Sequence, residues 1–344
     1  MVFLPDSPVD YKESSFHQNT YKRLLKMSKD NAIPHLIFHG PPGAGKKTMT
    51  NIFLKMIYDD SIDNLYSLNC DIYGSGNKVK TEIIQKSNHH IIINPTGTNF
   101  DRYLVHEVIK KYASMNTIES LQNPNSKFRT ILISNLDKLS QNAQTCLRRM
   151  IEVNADKCRF IMWCDNLSNV IGPLRSRCVR IRVPRPKPSE MFAFLVKRSL
   201  ESSFDPQMND IIEIVRFVDG NIKNALWYLQ LYILGCDIRK KNNFTMAIDL
   251  LHDHIMRCNL AEIEEIRNIL FNMMITNYDA GYILREMMNR LIDSDQLPDV
   301  CKVNIILKFS QTEYNMIRGR RDIIHFDAFI TEIMNLIEVS RKNI

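Results

Sequence analysis

The residues with the clearest chemical signature are Gly40, Pro41, Pro42, Gly43, Ala44, Gly45, Lys46, Lys47 and Thr48. They follow a short apolar run, Leu36 to Phe38, and precede a segment from Thr48 to Tyr58 with apolar residues at helical spacing. A glycine-rich loop between a strand and a helix is the setting of a phosphate-binding loop. Gly40, Gly43 and Gly45 let backbone N–H groups turn inward around an anion. The helix start adds partial positive charge and Lys46 adds a full one. The usual pattern places Ser or Thr directly after the lysine to hold magnesium. Here Lys47 takes that place and Thr48 follows, so phosphate binding is expected and metal-assisted chemistry is called into question.

Other elements must hold this loop. A helix is expected over Thr20 to Ser28, and short strand-like pieces over Asp59 to Gly76. His90 to Ile93, Thr130 to Ser134, Arg159 to Cys164 and Val179 to Val183 read as strands. Between them, Asp101 to Ala113 sets Leu104, Val105, Val108, Ile109 and Tyr112 on one helical face. Ser140 is a fitting N-cap for a further helix that turns Ala143, Leu147, Met150 and Ile151 inward and Gln141, Gln144 and Arg148 elsewhere. Alternating strands and helices imply an α/β fold with a mostly parallel sheet covered on both faces. Ligands bind such sheets at the carboxyl ends of the strands. Gly40, Ser134, Asn135 and Asp165 all lie at such ends and should converge on one nucleotide.

Three alternating prolines, Pro184, Pro186 and Pro188, break both periodicities, and Ser189 reads as the cap of a new helix. Gly220-Asn221 opens a helix through Ile233, and Asn242-Asn243 marks a weaker boundary. The rest is helical, with Met- and Ile-rich stripes suited to core or subunit contact. The expected organisation is a nucleotide-binding domain over 1–186, a small helical lid over 187–242 and an all-α domain over 243–344.

Several classes are set aside by composition. The 344 residues are 44% hydrophobic and 24% charged, as in ordinary globular proteins. No apolar run approaches the ~20 residues of a membrane span, so no membrane partner is expected, and Met1 to Asp10 lacks the pattern of a secretory signal. The eight cysteines include no C-x-x-C pair and read as free thiols of a reducing compartment; no metal-ligand cluster is expected. Residues 1–185 carry 26 basic and 16 acidic residues, a net of +10, whereas 186–344 carry 19 and 22, a net of −3. A basic first half suggests a polyanionic partner.

These residues together resemble the small subunits of replication factor C, the AAA+ loader of the sliding DNA clamp. The resemblance spans nearly the whole chain. It is most specific at Gly43 to Thr48, at Asn142 to Arg149 (Asn-Ala-Gln-Thr-Cys-Leu-Arg-Arg) and at Ile171 to Cys178 (Ile-Gly-Pro-Leu-Arg-Ser-Arg-Cys). Asp101-Arg102 and Gly220 to Leu226 add support, and the doubled lysine resembles the end-of-arc subunit called subunit 3 or subunit 5. The resemblance implies an AAA+ base, a lid and an oligomerising helical collar. It implies ATP or ADP as ligand, and as partners the other subunits of a hetero-pentamer, the sliding clamp and primer–template DNA. Arg177, in Ser176-Arg177-Cys178, would reach the ATP of a neighbouring subunit; Arg148 and Arg149 would touch the DNA backbone. The nucleotide site would comprise Gly40 to Thr48 with Asp165 and Lys223 at the two sensor positions.

The departures carry equal weight. Active members end their third strand in Asp-Glu, to hold magnesium's water shell and polarise the attacking water. Ser134 and Asn135 stand there and supply no charge. Asp165 replaces the usual Asn and Lys223 the usual Arg. The tryptophan-containing adenine motif is absent, with Pro5 to Tyr11 at best a remnant. The resemblance therefore points to a nucleotide-binding subunit that hydrolyses weakly or not at all, with magnesium questionable in its own site. An autonomous AAA+ ATPase that remodels protein or DNA is the alternative. Replication and checkpoint loaders share small subunits and stay undivided here. The expected compartment is nuclear for a eukaryotic cellular chain and a replication compartment for a viral one.

Overall fold

Apolar strand runs flanked on both sides by helices produce two cores, one on each face of a single sheet. The computed structural model describes residues 16–29, 33–58, 60–74, 79–95, 100–114, 128–202, 204, 206–236, 243–276, 278–319 and 321–342. The chain divides into two compact units, Met1–Ile238 and Arg239–Ile344.

The first unit holds strands β1 (Leu36–His39), β2 (Tyr66–Tyr73), β3 (Val79–Lys86), β4 (His90–Ile93), β5 (Arg129–Ile133), β6 (Cys158–Cys164) and β7 (Val179–Arg182). Their order is β2-β3-β4-β5-β6-β1-β7. The five strands from β4 to β7 in that order run parallel, and β2 and β3 extend the sheet as an antiparallel hairpin. Side chains alternate across a strand. Leu36 and Phe38 of β1 therefore enter one core and Ile37 the other. Helices α1 (Gln18–Lys29) and α2 (Lys46–Tyr58) cover the first face; α3 (Asp101–Ser114), α4 (Gln141–Val153) and the single turn α5 (Gly172–Arg175) cover the second.

The apolar face expected in α3 is buried throughout, from Leu104 to Tyr112. Ser140 caps α4 by accepting from the Ala143 N–H at 3.3 Å. In α4 one residue departs from its expected orientation. Gln144 is buried at 1% exposure. Its amide donates to the carbonyls of Leu139 (2.9 Å) and Asn169 (3.1 Å) and accepts from the Ile171 N–H (2.9 Å). A polar side chain that finds three backbone partners can lie inside. The β2–β3 hairpin also departs from expectation: only the Asp59–Gly76 pieces read as strand-like, and β3 went unread. Residues 59, 75 and 76, and the Pro5 to Tyr11 remnant, lie outside the described residues.

The chain continues in α6 (Pro188–Glu201), α7 (Met208–Val218) and α8 (Ile222–Ile233). Pro188 occupies the first helical position, where its missing N–H costs nothing, and Lys187 is the N-cap. Its N–H donates to the Glu190 carboxylate at 2.8 Å. Ser189 lies inside the first turn and does not cap it, because the proline starts the helix one residue earlier. Met191, Leu195, Ile211 and Leu226 join the core that contains Leu36 and Phe38, so these helices share the interior of the sheet domain.

The second unit consists of α9 (Asn243–Arg257), α10 (Ile263–Ile275), α11 (Ala280–Ile292), α12 (Asp299–Arg318) and α13 (Asp322–Lys342). Its own core includes Leu251, Leu270, Leu284, Ile305, Phe326 and Ile333. No helix among the described residues is long and apolar enough to cross a membrane.

Candidate nucleotide site and arginine cluster

Strand β1 ends between β6 and β7, and this placement shapes the loop that follows. The Gly40 N–H donates to the Cys164 carbonyl at 3.3 Å, and the Val183 N–H to the His39 carbonyl at 2.8 Å. A Cβ on Gly40 would run into the Val183 carbonyl oxygen. Gly40→Ala should therefore force the two strand ends apart, with a loss of ~1–3 kcal/mol in unfolding free energy, read from denaturant midpoints. An unchanged midpoint would show that the loop yields freely.

Gly43 and Gly45 take φ of 72° and 91°, a left-handed conformation that L side chains rarely adopt. Among the described residues, the N–H groups of Gly43, Gly45, Lys46, Lys47 and Thr48 have no backbone acceptor. These five donors, clustered around the start of α2, form a cradle for an anion. Pro42 and Lys47 face solvent, Ala44 and Lys46 are buried, and Pro41 and Thr48 are half-buried. His17, ahead of α1, reaches the Ala44 carbonyl at 3.0 Å. Burial holds the His17 imidazole below its ordinary pKa, a direction that the Ala44 contact opposes. The helices after the sheet close on the loop too. The Ile222 N–H donates to the Gly43 carbonyl at 3.0 Å, and the Asn221 amide occupies the space that a Cβ on Gly43 would need. Lys223 follows directly and is exposed.

Lys46 is 7% exposed. Its ammonium donates to the carbonyls of Gly40 (2.7 Å) and Pro41 (2.8 Å) and to the Asp165 carboxylate (2.6 Å). Asp165 stands just beyond β6, where the Asp137 carboxylate accepts from the backbone N–H groups of Asp165 (3.2 Å) and Asn166 (3.1 Å). The Cys164 thiol is pushed up to about 12, mainly by burial and then by Asp137, with Lys46 opposing. Gly40, Lys46 and Asp165 thus meet at the strand ends. Ser134 lies at the end of β5, and its hydroxyl donates to the Asn94 side chain (2.7 Å) and the Ile93 carbonyl (3.3 Å). Asn135 sits in the left-handed region, φ 45°.

This donor set divides the ligand that a P-loop implies. Free amides and the helix start fit phosphate. The metal portion does not fit: no hydroxyl residue directly follows Lys46, Ser134 and Asn135 carry no charge, and Asp137 is engaged by two amides. Among the described residues, no group of three or more His, Cys, Asp or Glu could hold a metal ion.

A second constellation lies on α4 and the turn after α5. Arg177 donates to the Pro173 carbonyl at 2.7 Å and pairs with Glu152 at 2.7 Å. Arg148 and Arg149 each approach the same carboxylate at 3.9 Å. At that distance they are ion pairs without a hydrogen bond, and the buried Arg148 Nε has no acceptor. Three guanidinium groups share one carboxylate, with side-chain exposures of 37% for Arg148, 73% for Arg149 and 37% for Arg177. The cluster keeps a surplus of positive charge facing solvent. The sequence singles out the three arginines but not Glu152; it offers Asp137 only as a remote substitute for the missing carboxylates, and it does not show the contacts that Gln144, Asp137 and Asn221 make here. Glu152 at i+3 and i+4 from Arg149 and Arg148 was the one readable signal.

Residues 16–187 match a family model described as DNA polymerase III, delta subunit, and residues 248–332 match the replication factor C C-terminal domain. A putative replication factor C small subunit of Acanthamoeba polyphaga mimivirus is 35% identical over 99% of this chain and 91% of its own length. The chain belongs to the replication factor C small-subunit family. Replication factor C subunit 5 of Saccharomyces cerevisiae is 27% identical over 92% of this chain and 94% of its own. For the probable replication factor C subunit 3 of Dictyostelium discoideum the figures are 28%, 96% and 96%. Family membership agrees with the resemblance read from the sequence, and with the AAA+ sheet domain followed by an all-helical C-terminal unit.

Proposed function

We propose that this replication factor C chain is a subunit of a hetero-pentameric clamp loader that places a ring-shaped sliding clamp on primer–template DNA during replication. In this reading it binds nucleotide and hydrolyses it weakly or not at all, and it lends Arg177 to the ATP of a neighbouring subunit. The observation that carries the reading is the mismatch between the two constellations. The P-loop keeps its phosphate cradle, while the two residues that follow β5 are the uncharged Ser134 and Asn135. Arg177, by contrast, is surface-accessible on the motif that the family uses in trans. A guanidinium is always charged and offers planar paired donors to phosphate oxygens.

Arg148 and Arg149 suit sequence-independent contact with the DNA backbone, where arginine neutralises phosphates whatever the bases. The second unit suits assembly. It has a core of its own, and α12 exposes Val300 (75%), Val303 (56%), Leu307 (58%) and Tyr314 (54%). At spacings of three, four and seven these residues form one apolar row, as a helix that packs against a partner would present. In this reading residues 187–242 form the lid and 243–344 the collar. The compartment is the nucleus for a cellular chain and a viral replication site for a viral one.

The isolated chain should show no magnesium-dependent ATP turnover above background. A steady-state rate in the range of ordinary enzymes, ~1–10³ s⁻¹, would overturn the non-hydrolysing assignment and favour an autonomous ATPase. Ser134→Asp with Asn135→Glu should not restore turnover, because Lys47 stays where the metal-binding hydroxyl belongs.

A further inference from the structure

We infer that Asp165 is a specificity-determining residue that makes the P-loop prefer a nucleoside diphosphate to a triphosphate, by occupying the lysine a terminal phosphate would need. The inference rests on the P-loop being this chain's nucleotide site. An ammonium has three N–H donors. Those of Lys46 are directed to Gly40, Pro41 and Asp165, all within 2.8 Å. The Asp165 contact spans 119 residues of sequence and is the shortest of the three. Asp165 is also held in place, because Asp137 accepts from its backbone N–H and from that of Asn166.

A P-loop divides its work. Backbone amides cradle the inner phosphates, and the lysine reaches across to the β and γ phosphates. The amide part is intact here, since the N–H groups from Gly43 to Thr48, apart from that of Ala44, are without backbone acceptors among the described residues. The lysine part is not. A carboxylate is an acceptor only and carries a full charge. It neutralises Lys46, competes with a γ-phosphate for the same N–H and repels it. An asparagine at this position would do none of these, and its amide could donate to a phosphate oxygen. A metal does not replace the lost attraction: Lys47 stands in the place of the metal-binding hydroxyl, and Ser134 and Asn135 bring no carboxylate for a metal that would screen the γ charge. A diphosphate loses less, because its β phosphate keeps the amide cradle where a γ phosphate has only the lysine.

The test uses the full-length chain alone, with equilibrium displacement of a fluorescent ADP analogue by ADP and by ATP, with and without magnesium. Wild type should bind ADP about tenfold or more tightly than ATP, which is ~1.4 kcal/mol or more. Asp165→Asn, nearly isosteric, should tighten ATP about tenfold and change ADP by less than about threefold, closing the gap. A thermal melt establishes that the variant is folded. If it is not, Asp165→Ser gives the same readout with the charge removed. Equal ADP and ATP affinities in wild type overturn the inference. So does an unchanged ratio in a folded variant, and so does the absence of nucleotide binding in every protein. Assembly with other loader subunits is unaffected by any of these results, so the clamp-loader reading stands or falls separately.

Discussion

Complexes rebuilt with Arg177→Ala should assemble normally and lose much of their DNA- and clamp-stimulated ATPase, with clamp loading falling in step. Arginine fingers are worth ~10³–10⁵ in rate at the site they complete. Under the proposed function a loader has several sites and only the one facing this chain would lose its finger, so total turnover should fall by that site's share while loading suffers more. Folding should be spared. Arg177 is partly exposed and its partner Glu152 keeps Arg148 and Arg149 nearby, so the lost pair costs ~0–1 kcal/mol. Arg177→Lys should be nearly as damaging, because a compact ammonium on a flexible stem lacks the planar fork. Lys46→Ala, in this chain's own P-loop, should cost far less. ATPase and loading assays on complexes carrying each variant decide the matter. Wild-type behaviour of Arg177→Ala together with collapse of the Lys46→Ala complex would reverse the two roles.

Removal of residues 239–344 should abolish entry into the complex and leave the remainder folded. The division falls between two compact units, each with an interior of its own. The sheet domain and helices α6–α8 share one core and should melt together in a single cooperative transition. The deleted unit carries the exposed row of α12. Interfaces that hold permanent complexes bury ~2,000 Å² or more and are apolar, and the truncated chain has lost the surface suited to one. Co-purification with partner subunits should drop to background, with native mass spectrometry showing a monomer. Full stoichiometry of the truncated chain in the complex would place the assembly surface in the sheet domain instead.

What the sequence determined by itself lies in short-range patterns. The glycine spacing from Gly40 to Gly45, with Lys46, specifies a phosphate loop because a left-handed backbone and a helix start are local properties. The apolar face of α3 and the strand cores of β1, β4, β5 and β6 were legible because burial imposes period and composition. Ser134 and Asn135, where two carboxylates are required, were visible as residue types alone. Tertiary structure decided what depends on partners far along the chain. Asp165 reads in sequence as a sensor beside a nucleotide; only the packing of β6 against β1 directs its carboxylate onto Lys46. Gln144 reads as outward because polarity usually means exposure, and three backbone partners from two separate segments reverse that. The β2–β3 hairpin was hard to read because both its strands are largely exposed, which removes the alternation that marks a half-buried strand. Glu152 shows the same limit: the sequence shows two arginines one helical turn before it, but only the fold brings Arg177 to the same carboxylate.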